Sequence, residues 1–207
     1  MWHTTVRTGI AQVGRALREP EEFALRWNRG EEQYSLGVWA ALMITAIVGT
    51  TTYGMTMGLL GGPERVLTAG LSCTLAAGLA WSIPLPALYI LNSLSGSKLP
   101  ASSTLLAALV TTSWGGLAMI ASIPINWFFT VAIPHGGFVW LINAVVFAGV
   151  GVSMSDVFGR VMAALEPSRG RLPLWWLALV GIIGLELFYF LGLFRFDVAQ
   201  FRTIAAI

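Results

Sequence analysis

The 207-residue chain is 56% apolar and only 11% charged, with a mean hydropathy of +0.75, where an ordinary soluble domain carries about 25% charged residues. A soluble fold of this size cannot hide that much apolar surface, so lipid is the solvent its composition suits. The net charge of +2 does not signal nucleic acid, because the basic residues gather near the ends of apolar runs and form no dense patch.

The opening stretch MWHTTVRTGIAQVGRALREPEEF lacks the continuous apolar core of a signal peptide. Val6, Ile10, Val13 and Leu17 recur at helical spacing, while Arg7, Arg15 and Arg18 fall largely on another side. This pattern predicts a short amphipathic helix on an anionic membrane surface. Pro20 suits the first position of a second helix, and Glu21 and Glu22 then sit at the positive end of its dipole. Phe23 and Trp27 share a face that could rest at the interface. Residues 1–35 thus read as a cytoplasmic arm, with Arg7, Arg15, Arg18 and Trp27 at the membrane surface.

Beyond the arm lie five apolar runs, at 36–58, 70–94, 103–131, 138–157 and 173–194. Each is long enough for a helix to cross a hydrocarbon core about 30 Å thick. The expected class is therefore an all-α integral membrane protein of about five transmembrane helices plus an N-terminal amphipathic interfacial helix. Its domains are the arm, a transmembrane domain over 36–195 and a short tail over 196–207. The third run is too long for a straight crossing, so it should tilt, bend at Pro124 or pass the interface. With the N-terminus inside, the inner segments hold Arg7, Arg15, Arg18, Arg26, Arg29, Lys98, Arg160, Arg169 and Arg171, and the outer ones Arg65, Arg195 and Arg202. Nine against three places the N-terminus in the cytoplasm and the C-terminus outside.

Polar and helix-breaking residues within the runs are where chemistry would sit. Gly54 and Gly58 have small-xxx-small spacing, and Gly181 and Gly184 lie three apart; both pairs permit close helix packing within the chain or against a partner. Pro84 and Pro86 each remove a backbone donor inside the second run, so a hinge is expected there, with Pro124 as a third candidate. Asn126 and Asn143 could hydrogen-bond between helices or form a polar pocket. Asp156 and Arg160 have ion-pair spacing at the inner end of the fourth run.

Glu186, in GIIGLELFYFLGLF, is the sharpest case. Its carboxyl is a proton or cation site, a ligand contact, or a hydrogen-bonding group that holds helices together. No metal site is expected: His3 and His135 fall on opposite sides of the membrane, and Cys73 is the one cysteine. Trp39, Trp127, Trp140, Trp175 and Trp176 mark run ends, where amphipathic rings settle. HExxH, GxSxG, a Walker lysine and paired carboxylates are all missing, and SGSK at 95–98 lacks the rest of a phosphate loop. No catalytic residue and no cofactor follow from the sequence.

Four spaced segments carry a resemblance: YGMTMG (53–58), PLPALYILNSLSGSKL (84–99), ASIPI (121–125) and LINAVVFA (141–148). In that order they resemble a group of uncharacterised bacterial multi-span membrane proteins with YG…G, PxLYxxNxLxGSxL, AxxPI and LLNxxVF motifs. The likeness covers about residues 50–160 and implies a bacterial membrane location but no activity. The five spans, inward arm and proline-rich second span are also similar in architecture to Yip-type membrane proteins of vesicle traffic. The expected role is a non-enzymatic subunit or scaffold of a larger assembly in a bacterial inner membrane, contacting lipid and other membrane subunits or further copies. The alternatives are a small transporter, channel or proton-coupled component using Glu186, and an auxiliary subunit of a pigment- or haem-containing bioenergetic complex.

Overall fold

The structure, a computed structural model, describes residues 11–169 and 174–194, with the side chains of 169 and 174–176 left aside. All regular structure among these residues is helical. Helix α1 covers 11–18 and α2 covers Pro20–Asn28. The longer helices follow as α3 (Leu36–Met57), α4 (Gly62–Ser82), α5 (Pro84–Leu94), α6 (Ala101–Ala132), α7 (Gly136–Leu165) and α8 (Leu174–Phe190). Four helical stretches, 36–57, 59–94, 101–132 and 136–165, are long and apolar enough to cross a membrane, and the fifth apolar run forms a shorter helix.

Three boundaries differ from the sequence expectation, each for a local reason. The second helical run starts at Gly62, not near 70. Gly62 adopts φ +84, Pro63 enters the first turn and Glu64 follows at the positive end of the dipole, a strong helix start. The fourth run continues to Leu165, because Asp156 and Arg160 pair at 2.9 Å within the helix and do not end it. Helix α8 stops at Phe190, where Gly192 turns the chain at φ +75 and the amides of Leu193 and Phe194 donate to the Phe188 carbonyl. That is a Schellman-type ending.

The prolines act unequally. Pro84 and Pro86 offer no N–H to the carbonyls of Ala80 and Ser82, and the helix is interrupted at Ile83 between α4 and α5. Ile83 keeps helical angles (φ −69, ψ −51), so this is a weak joint within one rod. Pro124 leaves α6 as a single 32-residue helix.

Close approaches fix the arrangement. Gly54 of α3 faces Ala69, Gly70 and Cys73 of α4, while Gly58 faces Arg65 and Val66, so these helices run antiparallel. Gly49 meets the backbone of Gly116 in α6, and further along the same helices Thr56 meets Asn126, so α3 and α6 run parallel. Gly115 abuts Met154 of α7. Helix α8 lies along α4 and α5, with Gly184 against Ala80, Val180 beside Leu88, and Phe188 beside Cys73 and Ala76. One end of the bundle gathers the arm, the 95–100 loop and the end of α7; the other gathers the 58–61 and 133–135 turns. The outward surface is apolar, with Leu67, Leu71, Leu75 and Leu79 exposed four residues apart along α4. Such a surface suits lipid contact.

The arm folds onto the first end of the bundle. Val13, Ala16 and Phe23 pack with Val38, Leu42, Leu106 and Val110, and Ala24 packs with Ala107, Val157 and Val161. Phe23 stacks on Tyr34 at 4.0 Å, and Trp27 lies against Tyr34 and the edge of Trp39. The Phe23 face expected at the membrane interface is thus spent on the bundle. Arg15 reaches Glu32 at 3.2 Å and Arg18 is exposed. Arg7 lies outside the described residues, as do His3, Val6, Ile10, Arg171, Arg195 and the tail over 196–207.

Candidate functional site

A polar cluster joins α3, α6 and α7 toward the end opposite the arm. The Tyr53 hydroxyl donates to Asn143 Oδ1 at 2.9 Å, and Asn143 Nδ2 donates to the Val139 carbonyl at 2.8 Å. One turn further along α3, Thr56 Oγ1 accepts a 2.7 Å bond from Asn126 Nδ2 and donates to the Tyr53 carbonyl. Thr130 donates back to the Asn126 carbonyl at 2.8 Å. Tyr53 and Asn126 are fully buried, and Thr130 and Asn143 nearly so.

The chemistry of this cluster is neutral. It contains no carboxyl, imidazole or amine, and its one titratable group is the Tyr53 phenol. Amides and hydroxyls in an apolar interior are costly when unpaired, and pairing them across helices fixes the helix register. One atom is left over: Asn126 Oδ1 is buried without a hydrogen bond. Thr104, Thr111 and Ser113 leave buried hydroxyls in the same state along α6. The helices α3 and α4 add a second polar contact, Thr51 and Thr74 sharing a 2.7 Å bond between hydroxyls.

The structure therefore brings Asn126 and Asn143 to one cluster and leaves Glu186 apart. Sequence reasoning missed Tyr53 and Thr56, although both belong to the YGMTMG segment. Glu186 stands on the outward face of α8, exposed, with no hydrogen bond or ion pair among the described residues. Its height follows from its neighbours. Gly184 packs on Ala80 and Phe188 beside Ala76, so Glu186 stands level with about Gly78. The α4–α5 rod from Gly62 to Leu94 is about 50 Å long at 1.5 Å per residue, and Gly78 is its middle. A charged side chain at the centre of a bilayer costs about 2.5–3.5 kcal/mol on insertion scales.

The glycines divide similarly. Gly54 and Gly58 are filled by α4 and Gly184 by Ala80, but a Cβ added at Gly181 meets nothing within 4 Å. The contact of Gly49 with Gly116 was not foreseen. Both glycines lie in long apolar runs, and nothing local announces their pairing.

At the arm end, the SGSK segment closes a clasp. Gly96 adopts φ +92 and ends α5, the Ser97 hydroxyl donates to Glu166 Oε2 at 2.7 Å, and the Lys98 amide donates to Glu166 Oε1 at 3.1 Å. The segment resembling part of a phosphate loop thus holds the chain's own carboxylate. Nearby, Arg160 bonds both Asp156 and Glu21, tying α7 to α2. Arg26 bonds Glu22 at 3.0 Å and Glu32 at 3.1 Å, and these carboxylates raise its affinity for the proton further. Tyr34 donates to the Phe23 carbonyl at 2.8 Å. Burial, with the Glu32 charge second, pushes its phenol up to about 12.

No group of three or more His, Cys, Asp or Glu among the described residues is placed to hold a metal ion. Comparison with known proteins finds no match to any family model, curated protein or solved structure.

Proposed function

We propose that the protein is a non-enzymatic integral membrane protein that serves as a subunit or scaffold of a larger membrane assembly. In this reading α8 is a fifth, shorter span and the membrane is a bacterial inner one, as the four-segment resemblance suggests. The excess of inner Lys and Arg puts the arm in the cytoplasm. There α1 lies near the headgroups, with the exposed Arg18 available to anionic lipid beside the Arg15–Glu32 pair.

One observation carries the reading. Tyr53, Asn126 and Asn143 bond between or along α3, α6 and α7, while the exposed carboxyl of α8 has no partner among the described residues. Mild-detergent extraction followed by native mass measurement should give a stoichiometric complex or a defined oligomer. A monodisperse, partner-free monomer overturns the proposal. A second reading, a proton-coupled transporter using Glu186, draws on the helix interruption at Ile83. Proteoliposome flux unchanged by Glu186→Gln would remove it.

A further inference from the structure

We infer that the outward face of α8 seats a membrane-spanning helix of a different protein, and that this helix carries a lysine or arginine at mid-depth that pairs with Glu186. The inference rests on the assembly reading and names its partner by charge. Glu186 is exposed at mid-height and unanswered among the described residues. Exposed side chains flank it on the outward side, the apolar Ile182 at 59% and Leu185 at 71% and the ring of Tyr189 at 55%, and none of them carries a charge. Gly181 opens a shallow notch beside them, since an added Cβ there touches nothing.

Three occupants are available to such a face. Lipid tails offer no donor or charge to a carboxyl. A second copy offers no cation either: the stretches 36–57, 66–94, 101–132 and 136–155 hold no Lys, Arg or His, and so in symmetric contact carboxyl would meet carboxyl. Charge complementarity therefore selects a helix from another chain, with a cation at the depth of Glu186. The same pairing sets the partner's register, because a cation one turn higher or lower finds no carboxyl on the face.

The test uses the full-length protein in neutral phosphatidylcholine nanodiscs. The probe is a labelled Leu/Ala transmembrane peptide of about 20 residues with one central lysine, compared with the same peptide carrying leucine there. Energy transfer should show the lysine peptide binding about tenfold tighter, and Glu186→Gln should abolish that preference while circular dichroism stays unchanged. Equal binding of the two peptides, or a preference that survives Glu186→Gln, overturns the inference. So does Glu186-dependent energy transfer between differently labelled copies of the protein, which would make a second copy the occupant. Lysine-peptide binding that appears only after Arg195→Gln and Arg202→Gln also overturns it, by assigning the face to the chain's own tail. A native complex that persists unchanged with Glu186→Gln would sink this inference while leaving the assembly reading standing.

Discussion

The α3–α6–α7 junction and the α8 face treat polar groups in opposite ways. At the junction, Asn126 and Asn143 are buried and matched to Thr56 and Tyr53, so that polarity is consumed in holding helices in register. On α8 a carboxyl stands nearer the middle of the bundle and faces outward. A residue type that looks functional in a linear sequence is thus structural when its partners come from the same chain. When no partner is at hand, it points outside.

The largest test of this contrast uses glycine. A Cβ on Gly116 would stand 2.8 Å from the Thr45 carbonyl and 2.9 Å from Ala46 Cα, with Gly49 equally crowded. Gly116→Leu should cost more than about 3 kcal/mol in detergent-titrated unfolding, whereas Gly181→Leu on α8 should leave the midpoint where it is. A comparable loss at both positions would erase the distinction. Next comes the arm: Phe23→Ala empties a fully buried site and should weaken arm docking by about 3–5 kcal/mol. The readout is faster tryptic cleavage after Arg26 and Arg29.

At the junction itself, Tyr53→Phe leaves Asn143 Oδ1 without its donor and should cost about 1–2 kcal/mol. Glu186→Gln, which breaks no bond among the described residues, should stay within about 0.5 kcal/mol of the original. Raising the pH should loosen the arm. The Tyr34 phenol is held protonated in the fold, up to about 12, against an ordinary value near 10. Its contribution is therefore complete below about pH 10 and is lost as pH rises toward the folded value. Trp27 and Trp39 fluorescence should report the change between those limits and stay flat from pH 6 to 9. The smallest effect is expected at the clasp. Ser97→Ala removes a partly buried bond to Glu166 and a long one from the Leu99 amide and should cost about 0.5–1.5 kcal/mol, read as earlier proteolysis near Arg169.

Much of this architecture is legible in hydropathy, because a helix in lipid announces itself by its length of apolar residues. Its ends are less so. Hydropathy reports the solvent around a side chain, and it discarded Pro63, Glu64 and Arg65 although they begin a helix, and read Asp156 and Arg160 as an end although they continue one. The asparagines were visible as polar residues in apolar runs. Their partners were not, because the α3–α6 register is set by Gly49 on Gly116, a contact between residues far apart in the chain. The direction of Glu186 was equally hidden. Helix α8 carries large apolar residues on every side, Glu186 being its one charged residue, so no periodic stripe shows which side faces the bundle.

The clasp at Glu166 also bears on the order of biogenesis. Its donors, Ser97 and Lys98, are made before α6 and α7, and its acceptor only after both. The loop between α5 and α6 therefore waits, unlatched, while two helices are synthesised and inserted. Helix α8 must reach back further still, to Ala80 on α4. The seam along α4 consequently stays open until α8 arrives, and a nascent chain stalled before α8 would show that seam, not the covered surface, to its neighbours in the membrane.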